Sequence, residues 1–114
     1  MKHIDVAQII KSPSALTQEQ GDLIYNEICN AFEAPETIEL DFENVESMIS
    51  PFLNNSIGRL YGKYDSNYIR QNLHMKNFPA EKNSTLNVVI NNAKRFYADK
   101  SKYTKTVKDV IDNE

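Results

Sequence analysis

The chain has 114 residues, of which 40% are hydrophobic and 25% are charged, and its formal net charge is -3. This size and composition predict one globular domain with a single core, and the charge gives no general attraction to nucleic acid or anionic membranes. The apolar runs are too short to span a bilayer, and Asp5 interrupts what would have to be the apolar part of a secretory signal. Cys29 is the only cysteine, which excludes an internal disulfide and fits a reducing cytoplasm, so we expect a cytoplasmic protein.

The first third of the chain predicts a short strand, a helical turn and then a long helix. Residues 2 to 10 supply the strand and the turn. Thr17 and Gln20 have the spacing of a capping box, in which the hydroxyl and the amide each satisfy a backbone N–H at the start of a helix. An apolar stripe follows, so the helix is predicted from Gln18 to Glu33. Within it, Gly21 either weakens the first turn or allows another element to approach closely.

The middle of the chain, residues 37 to 62, predicts a strand, a loop and a helix. Apolar and acidic residues alternate here with the period of a half-buried strand. We expect Ile38, Leu40 and Phe42 to face the core and Glu39, Asp41 and Glu43 to face solvent. Ser50 is predicted to cap the following helix, with Pro51 in its first turn. Apolar residues then recur at helical spacing from Leu53 to Tyr64.

The last third predicts a short helix, a short strand and a long helix. Asp65 is expected to cap a helix over residues 67 to 72, and residues 73 to 78 predict a strand. Ser84 or Thr85 starts the last helix, whose apolar face is expected to pack in the core. That face comprises Leu86, Val89, Ile90, Ala93, Phe96 and Tyr97.

The order of these elements predicts an α/β fold: a sheet of three to four mostly parallel strands packed against helices. Residues 1 to 99 are expected to form the domain. Residues 100 to 114 are polar and basic, and we expect them to form an extension with a loose or partner-dependent helix.

Several short motifs, in this order, resemble one bacterial family. They are a Leu-Asp-Phe strand at residues 40–42, Ser50 before Phe-Leu, an Ile-Gly-X-Leu-Tyr helix at residues 57–61, and Asn-Ala-Lys-Arg-Phe-Tyr at residues 92–97. This pattern is similar to the short STAS-like domains of unknown function, which are related to anti-sigma factor antagonists and to the cytoplasmic domains of sulfate transporters. The resemblance covers most of residues 2 to 98 and implies a STAS-like fold.

The resemblance also implies a regulatory module that switches between protein partners. In well-known STAS proteins, a histidine-kinase-like ATPase phosphorylates a serine in an Asp-Ser-Ser-Gly loop at a helix start. The four corresponding positions here are Ile49, Ser50, Pro51 and Phe52, so the usual acceptor position is a proline. Ser50 is therefore the candidate phospho-acceptor, and a histidine-kinase-like ATPase is the implied partner.

The helix after Ser50 carries the candidate binding residues. Asn54, Asn55, Ser56 and Gly58 make one side of it small and polar, with Arg59 at the edge. This side is either a solvated surface or a docking surface. The predicted partner-binding residues are Ser50, Pro51, Asn54, Asn55 and Arg59.

Catalytic and metal sites are not predicted. Residues 33 to 46 contain six acids, but neither a cleft nor an orienting partner is evident for a catalytic carboxylate pair. His3, Cys29 and His74 lack metal-ligand spacing, and the three glycines form no phosphate loop. We therefore expect a non-enzymatic protein without a cofactor, in which Cys29 packs in or beside the core.

The basic C-terminal part supports an alternative function. Lysine and arginine interleave there with Phe96, Tyr97 and Tyr103, as in proteins that bind single-stranded nucleic acid. Because Phe96 and Tyr97 are expected in the core, a solvated basic face is favoured and nucleic-acid binding ranks second. This end could also contact an acidic partner, including the acidic stretch of a second copy.

Overall fold

A computed structural model of the chain describes residues 1–34 and 36–112, with side chains described up to residue 98. Within these residues, five strands, five α-helices and two 3₁₀ helices follow one another. They are β1 (Lys2–Asp5), α1 (Val6–Ile10), β2 (Ser14–Ala15), α2 (Gln18–Glu33), β3 (Ile38–Asp41), β4 (Ser47–Met48), α3 (Ser50–Ser56), a 3₁₀ helix (Gly58–Gly62), α4 (Ser66–Asn72), β5 (Leu73–Lys76), a second 3₁₀ helix (Ala80–Lys82) and α5 (Asn83–Asp112).

The main sheet has three parallel strands in the order β1-β3-β5. Ile4, Leu40 and Met75 lie in register across it. The predicted α/β fold with a parallel sheet is therefore confirmed, and β3 is its central strand. The short parallel pair β2-β4 forms a second sheet that the sequence did not predict.

The two faces of the main sheet differ sharply. Ile38, Leu40 and Phe42 are buried as predicted, and they belong to the single core. The opposite face is polar, because His3 and His74 flank Glu39 in register. The prediction that Asp41 faces solvent is wrong: this carboxylate lies on the polar side of the sheet but is only 5% exposed.

Helix α2 forms as the sequence predicted. The Gln20 backbone N–H donates to Thr17 Oγ1 at 3.0 Å, and the Thr17 N–H donates to Gln20 Oε1 at 3.0 Å. This capping box fixes the first residue of the helix as Gln18, and the helix ends at Glu33. Its inner stripe is buried and includes Cys29, which confirms the prediction that this cysteine packs in the core.

Helix α3 begins one residue differently from the prediction. Ile49, not Ser50, is the N-cap, and Ser50 is the first helical residue and makes no capping hydrogen bond. The reason is that the Ile49 N–H donates to Ala15 O, which continues the β2-β4 pairing and keeps Ile49 extended. Pro51 still lies in the first turn, as expected.

The sequence also predicted one helix from Ser50 to about residue 62, and this helix is interrupted. Helix α3 ends at Ser56, whose buried Oγ donates to Phe52 O at 2.8 Å, and the chain continues as the 3₁₀ helix Gly58–Gly62. Ser and Thr side chains that bond back to the preceding turn weaken a helix at that point. The apolar positions Leu53, Ile57 and Leu60 are nevertheless buried.

The next helix ends at Asn72 as predicted and starts one residue earlier than predicted, at Ser66. Asp65 caps α4, since its Oδ2 accepts from the Asn67 N–H at 3.0 Å. Strand β5 starts at Leu73 but ends at Lys76, because Asn77 adopts a left-handed conformation with φ of 56°. Asparagine tolerates this conformation better than most residues.

Helix α5 is one helix from Asn83 to Asp112. Leu86, Val89 and Ala93 are buried, as predicted, but Phe96 is 60% exposed, so the expectation that Phe96 lies in the core is wrong. The helix passes the proposed domain boundary at residue 99, which stays a prediction, and residues 113 and 114 lie outside the described part. Within the described residues, every helix is too short or too polar to cross a membrane.

Close packing of α2 on α3 depends on Gly21. A Cβ placed on Gly21 would lie 2.8 Å from both Asn55 Cβ and Phe52 O, which is closer than real Cβ contacts. Of the two roles predicted for Gly21, weakening the first turn or allowing a close approach, the structure shows the close approach. Gly58 provides a contrast, because a Cβ there would meet Val89 and Ala93 at ordinary distances of 3.5 and 3.7 Å.

We expect Gly21→Ala to destabilise the domain by about 1–3 kcal/mol, because overpacking outweighs the gain of up to ~1 kcal/mol in helix propensity. The control Gly58→Ala should change stability by less than about 1 kcal/mol. Urea denaturation of both variants and wild type tests this. A Gly21→Ala variant as stable as wild type would show that α2 and α3 can separate without loss.

Candidate functional site

Two helix starts lie side by side at one edge of the molecule. Strands β2 and β4 are parallel neighbours, with Ala15 opposite Met48, and they lead into α2 and α3. Ala15 and Met48 are buried. Because successive residues of a strand point to opposite sides, the next residues, Leu16 and Ile49, point outward. They are 45% and 40% exposed, so the two strand ends present an exposed apolar pair.

The exposure of Leu16 follows from the Gly21 contact. In a capped helix, the residue before the N-cap often packs against the fourth helical residue as a hydrophobic staple. Leu16 precedes the N-cap Thr17, and the fourth residue of α2 is Gly21, which has no side chain to offer. The close approach to α3 thus leaves Leu16 without its usual partner.

Ser50 and Pro51 lie directly beside this apolar pair, and both are exposed. Because Ile49 is the N-cap, the Ser50 hydroxyl is not used to cap the helix. The candidate phospho-acceptor is therefore accessible at the start of α3 and adjacent to Ile49.

Asn55 and Arg59 have partners within the domain. Both contact Asp22 on α2: its Oδ1 accepts from Asn55 Nδ2 at 3.0 Å and from Arg59 Nη1 at 2.8 Å. The Arg59 guanidinium also lies 4.0 Å from the centre of the Tyr25 ring. These contacts join α2 to α3 and the 3₁₀ helix, so both residues position the two helices.

The Asp22–Arg59 ion pair is open to solvent and contributes no more than about 1 kcal/mol. The ion pair says more about the orientation of the two helices than about stability. Residues that come later in one helix contact residues that come later in the other. Asn55 meets Gln18 and Asp22, and Arg59 meets Asp22 and Tyr25. The two helices therefore run parallel, with their N-termini at the same edge.

Asn54 lies one turn beyond Ser50 and is exposed, facing a groove between α3 and α5. The groove has a volume of about 250 Å³. Its floor includes Gly58 and Ala93, and Phe96 forms part of its wall. Of the predicted binding residues, Ser50 and Pro51 lie at the helix start. Asn54, Asn55 and Arg59 all line the groove, and the last two also join the helices through Asp22.

A second polar cluster surrounds Asp41 at the end of β3. Asn77 Nδ2 donates to Asp41 Oδ1 at 3.0 Å, and the Glu43 N–H donates to the same oxygen at 2.9 Å. His3 Nε2 lies 3.0 Å from Asp41 Oδ2 and donates to it, since a carboxylate can only accept. The Asn77 amide, His3 and the Glu43 N–H hold the pKa of Asp41 below its usual value, although burial alone would raise it.

This cluster is an anchor between strands. Asp41 binds His3 on β1 and Asn77 after β5, so its carboxylate joins all three strands of the main sheet. Sequence reasoning missed it because alternation predicted a solvent-facing acid. Asn77 could have indicated this cluster from the sequence. Asparagine is suited to a left-handed turn, and in this turn its side chain points back to the sheet.

The half-buried Tyr64 belongs to an aromatic cluster. Tyr64 packs edge-on against Phe32, with ring centres 4.9 Å apart, and stacks on Tyr68 at 5.8 Å. Burial, with the Cys29 thiol nearby, raises the pKa of Tyr64 to about 12, so the phenol stays protonated at neutral pH. Among the described residues, His, Cys, Asp and Glu form no group of three that could hold a metal ion.

A family model matches the central part of the chain. The STAS-like domain of unknown function (DUF4325) matches residues 20–81, which is more than half of the 114 residues. The chain therefore belongs to this family, and the resemblance inferred from the sequence is confirmed. Neither a curated protein nor a solved structure is significantly similar to the chain. The matched region contains the start of α3 and, of the Asp41 cluster, Asp41, Glu43 and Asn77 but not His3.

We expect Asp41→Asn to lower stability by about 1–3 kcal/mol at neutral pH, because hydrogen bonds to a charged acceptor are stronger than those to a neutral one. The folded-state pKa of Asp41 lies below the unfolded value of about 3.9. Its ionised form thus stabilises the fold above that pH, and the contribution is lost as the pH falls through the folded-state pKa.

Urea denaturation between pH 7 and pH 3 measures this effect. Wild type should lose stability on acidification more steeply than Asp41→Asn, and the control Glu43→Gln, which alters an exposed carboxylate, should follow wild type. Parallel pH profiles for wild type and Asp41→Asn would contradict the anchoring role.

Proposed function

We propose that this chain is a non-enzymatic regulatory module that acts in the cytoplasm and binds a signalling protein through the start of α3. The proposal rests on the exposed apolar side chains of Leu16 and Ile49, which directly follow the paired strand residues Ala15 and Met48. We define the α3 docking surface as Leu16, Ile49, Ser50, Pro51 and Asn54. Asn55 and Arg59 act in this proposal as positioning residues that hold α2 beside α3.

Phosphorylation of Ser50 is the proposed switch. A phosphate adds a charge of about -1.5 to -2 at neutral pH. Ser50 follows Ile49 directly, so the charge would lie beside the apolar pair and oppose an apolar contact there. The partner class that we propose is a histidine-kinase-like ATPase, by analogy with well-known STAS proteins.

A second candidate function gains support from one observation. Phe96 is exposed, and its neighbours Lys94 and Arg95 are exposed as well. A solvent-facing aromatic ring between cations can stack on the bases of a single-stranded nucleic acid. We rank this function second because it involves one aromatic side chain, whereas the α3 docking surface combines two apolar side chains with a modifiable hydroxyl.

The docking proposal predicts that Leu16→Lys and Ile49→Lys abolish partner binding and leave the fold intact. Leu23→Lys is the matched control, because Leu23 is a leucine of α2 with a similar exposure of 48%. Each protein serves as bait in its native host extract, with partners identified by mass spectrometry and folding checked by thermal melts. Wild type and Leu23→Lys should both enrich a histidine-kinase-like ATPase.

Ser50→Asp tests the switch in the same experiment. It should weaken binding of the purified ATPase by about tenfold or more, which corresponds to about 1.4 kcal/mol. Because Ser50 makes no capping bond, Ser50→Ala should keep both stability and binding. Unchanged ATPase recovery with folded Leu16→Lys, Ile49→Lys and Ser50→Asp would place the docking surface elsewhere.

The nucleic-acid candidate predicts salt-dependent binding of labelled single-stranded DNA or RNA, measured by fluorescence anisotropy. Phe96→Ser should weaken binding by at least about fivefold, from stacking energies of about 1–3 kcal/mol per base. Val88→Ser is its control, because Val88 is an apolar residue of α5 that is 57% exposed. Absence of binding at low salt would end this candidate.

A further inference from the structure

The groove between α3 and α5 has a floor of small residues. Gly58 is buried, and a Cβ on it would lie 3.5 Å from Val89 and 3.7 Å from Ala93. A Cβ on Gly62 would collide with the ring of Tyr97, which therefore packs directly on the backbone of the 3₁₀ helix. Later residues of the 3₁₀ helix thus meet later residues of α5, and the groove runs between two parallel segments.

Phe96 forms an aromatic wall of this groove. It is 60% exposed, whereas its neighbour Tyr97 is half-buried against Gly62. The two rings lie edge to face, with centres 4.9 Å apart and planes at 86°. Because Tyr97 is held by the domain, this contact positions the Phe96 ring beside the groove. Aromatic rings prefer offset-stacked or edge-to-face partners, so a further ring in the groove would find such a partner in Phe96.

Two amide side chains lie on opposite sides of the groove. Asn54 belongs to α3 and Asn92 to α5, and both are exposed. Among the described residues that line the groove, side-chain hydrogen bonds involve Asn55 and Arg59 but neither Asn54 nor Asn92. A primary amide offers both donors and an acceptor, which match the C=O and N–H of a peptide group. The groove therefore presents two amides that suit a polypeptide main chain.

The lining of the groove is electrically neutral. Of its described residues only Arg59 is charged, and Asp22 accepts a hydrogen bond from the Arg59 guanidinium at 2.8 Å. A phosphate or carboxylate would have to compete with Asp22 for Arg59, and a cation would meet no acid among these lining residues. The occupant that suits the groove is therefore uncharged.

The size of the groove limits what it can hold to a single side chain. Its volume is about 250 Å³, whereas sites that enclose drug-sized molecules have about 300–1,000 Å³. One large side chain that fills such a pocket is a common centre of binding energy in protein interfaces, where Trp and Tyr are enriched.

We propose that this groove binds one aromatic side chain from an internal segment of a partner polypeptide. The ring lies between Phe96 and the floor of Gly58 and Ala93, and Asn54 and Asn92 hydrogen-bond to the peptide groups on either side of it. An internal residue fits because its peptide groups are uncharged, unlike a chain terminus. The inference goes beyond the docking proposal, because it requires neither a phosphorylated serine nor an ATPase.

NMR titration of the isotope-labelled full chain with N-acetyl-phenylalanine amide and N-acetyl-tryptophan amide tests the proposal. We expect saturable shifts of the backbone signals of Gly58 and Phe96 and of the side-chain signals of Asn54 and Asn92. The dissociation constant should be on the order of 1 mM, as for a small ligand. N-acetyl-leucine amide, which lacks the ring, should bind at least about threefold more weakly.

Three substitutions in the groove have controls on α5. Phe96→Ser removes the aromatic wall, Asn92→Ala removes one amide, and Gly58→Ala places a methyl group on the floor. Each should weaken binding of the aromatic amides by at least about threefold. Val88→Ser and Asn91→Ala alter exposed residues of α5 outside the groove and should bind as wild type does. Thermal melts check that each variant is folded.

Absence of saturable shifts with both aromatic amides, equal binding of N-acetyl-leucine amide, or unchanged binding to folded Phe96→Ser and Asn92→Ala would overturn the proposal. Tighter binding of N-acetyl-phenylalanine, whose free carboxylate can pair with Arg59, would overturn the assignment to an internal residue. Shifts with uridine and not with the aromatic amides would assign the groove to a nucleobase instead. All these measurements use the purified chain alone, so their failure is distinct from a failure of docking through α3.

Discussion

The contact of α2 with α3 at Gly21 is the constraint on which the rest of the molecule depends. Helices α2 and α3 follow the two strands of the parallel pair β2-β4. Backbone pairing of these strands therefore brings the two helix starts together. Two helices can then pack this closely only where one lacks a Cβ. The same glycine removes the staple partner of Leu16, so a packing requirement creates an exposed apolar surface.

The polar residues of α3 divide according to this contact. Asn55 and Arg59 lie on the side that meets α2, and Asp22 accepts from both. Asn54, one residue earlier than Asn55, makes no contact with Asp22, and all three residues line the groove beside α5. The small polar side of the helix is thus not wholly solvated, because part of it holds α2 in place.

The sequence correctly predicted the features that depend on interactions between residues close together in the chain. The start of α2 follows from a capping box within four residues, and the inner face of β3 follows from alternation along one strand. The start of α3 was missed by one residue, because the N–H of Ile49 bonds to Ala15, 34 positions earlier in the chain. Strands of two residues, such as β2 and β4, are too short to give a periodic signal.

Burial of single residues was harder to predict for the same reason. Asp41 is buried because the side-chain amide of Asn77, 36 residues later in the chain, donates a hydrogen bond to its carboxylate. Phe96 shares the apolar stripe of α5, and periodicity identifies the stripe but not where the domain stops covering it. Of the candidate site, the sequence singled out Ser50 and Pro51, which are exposed, but not the exposed Leu16, because its exposure depends on the pairing of β2 with β4.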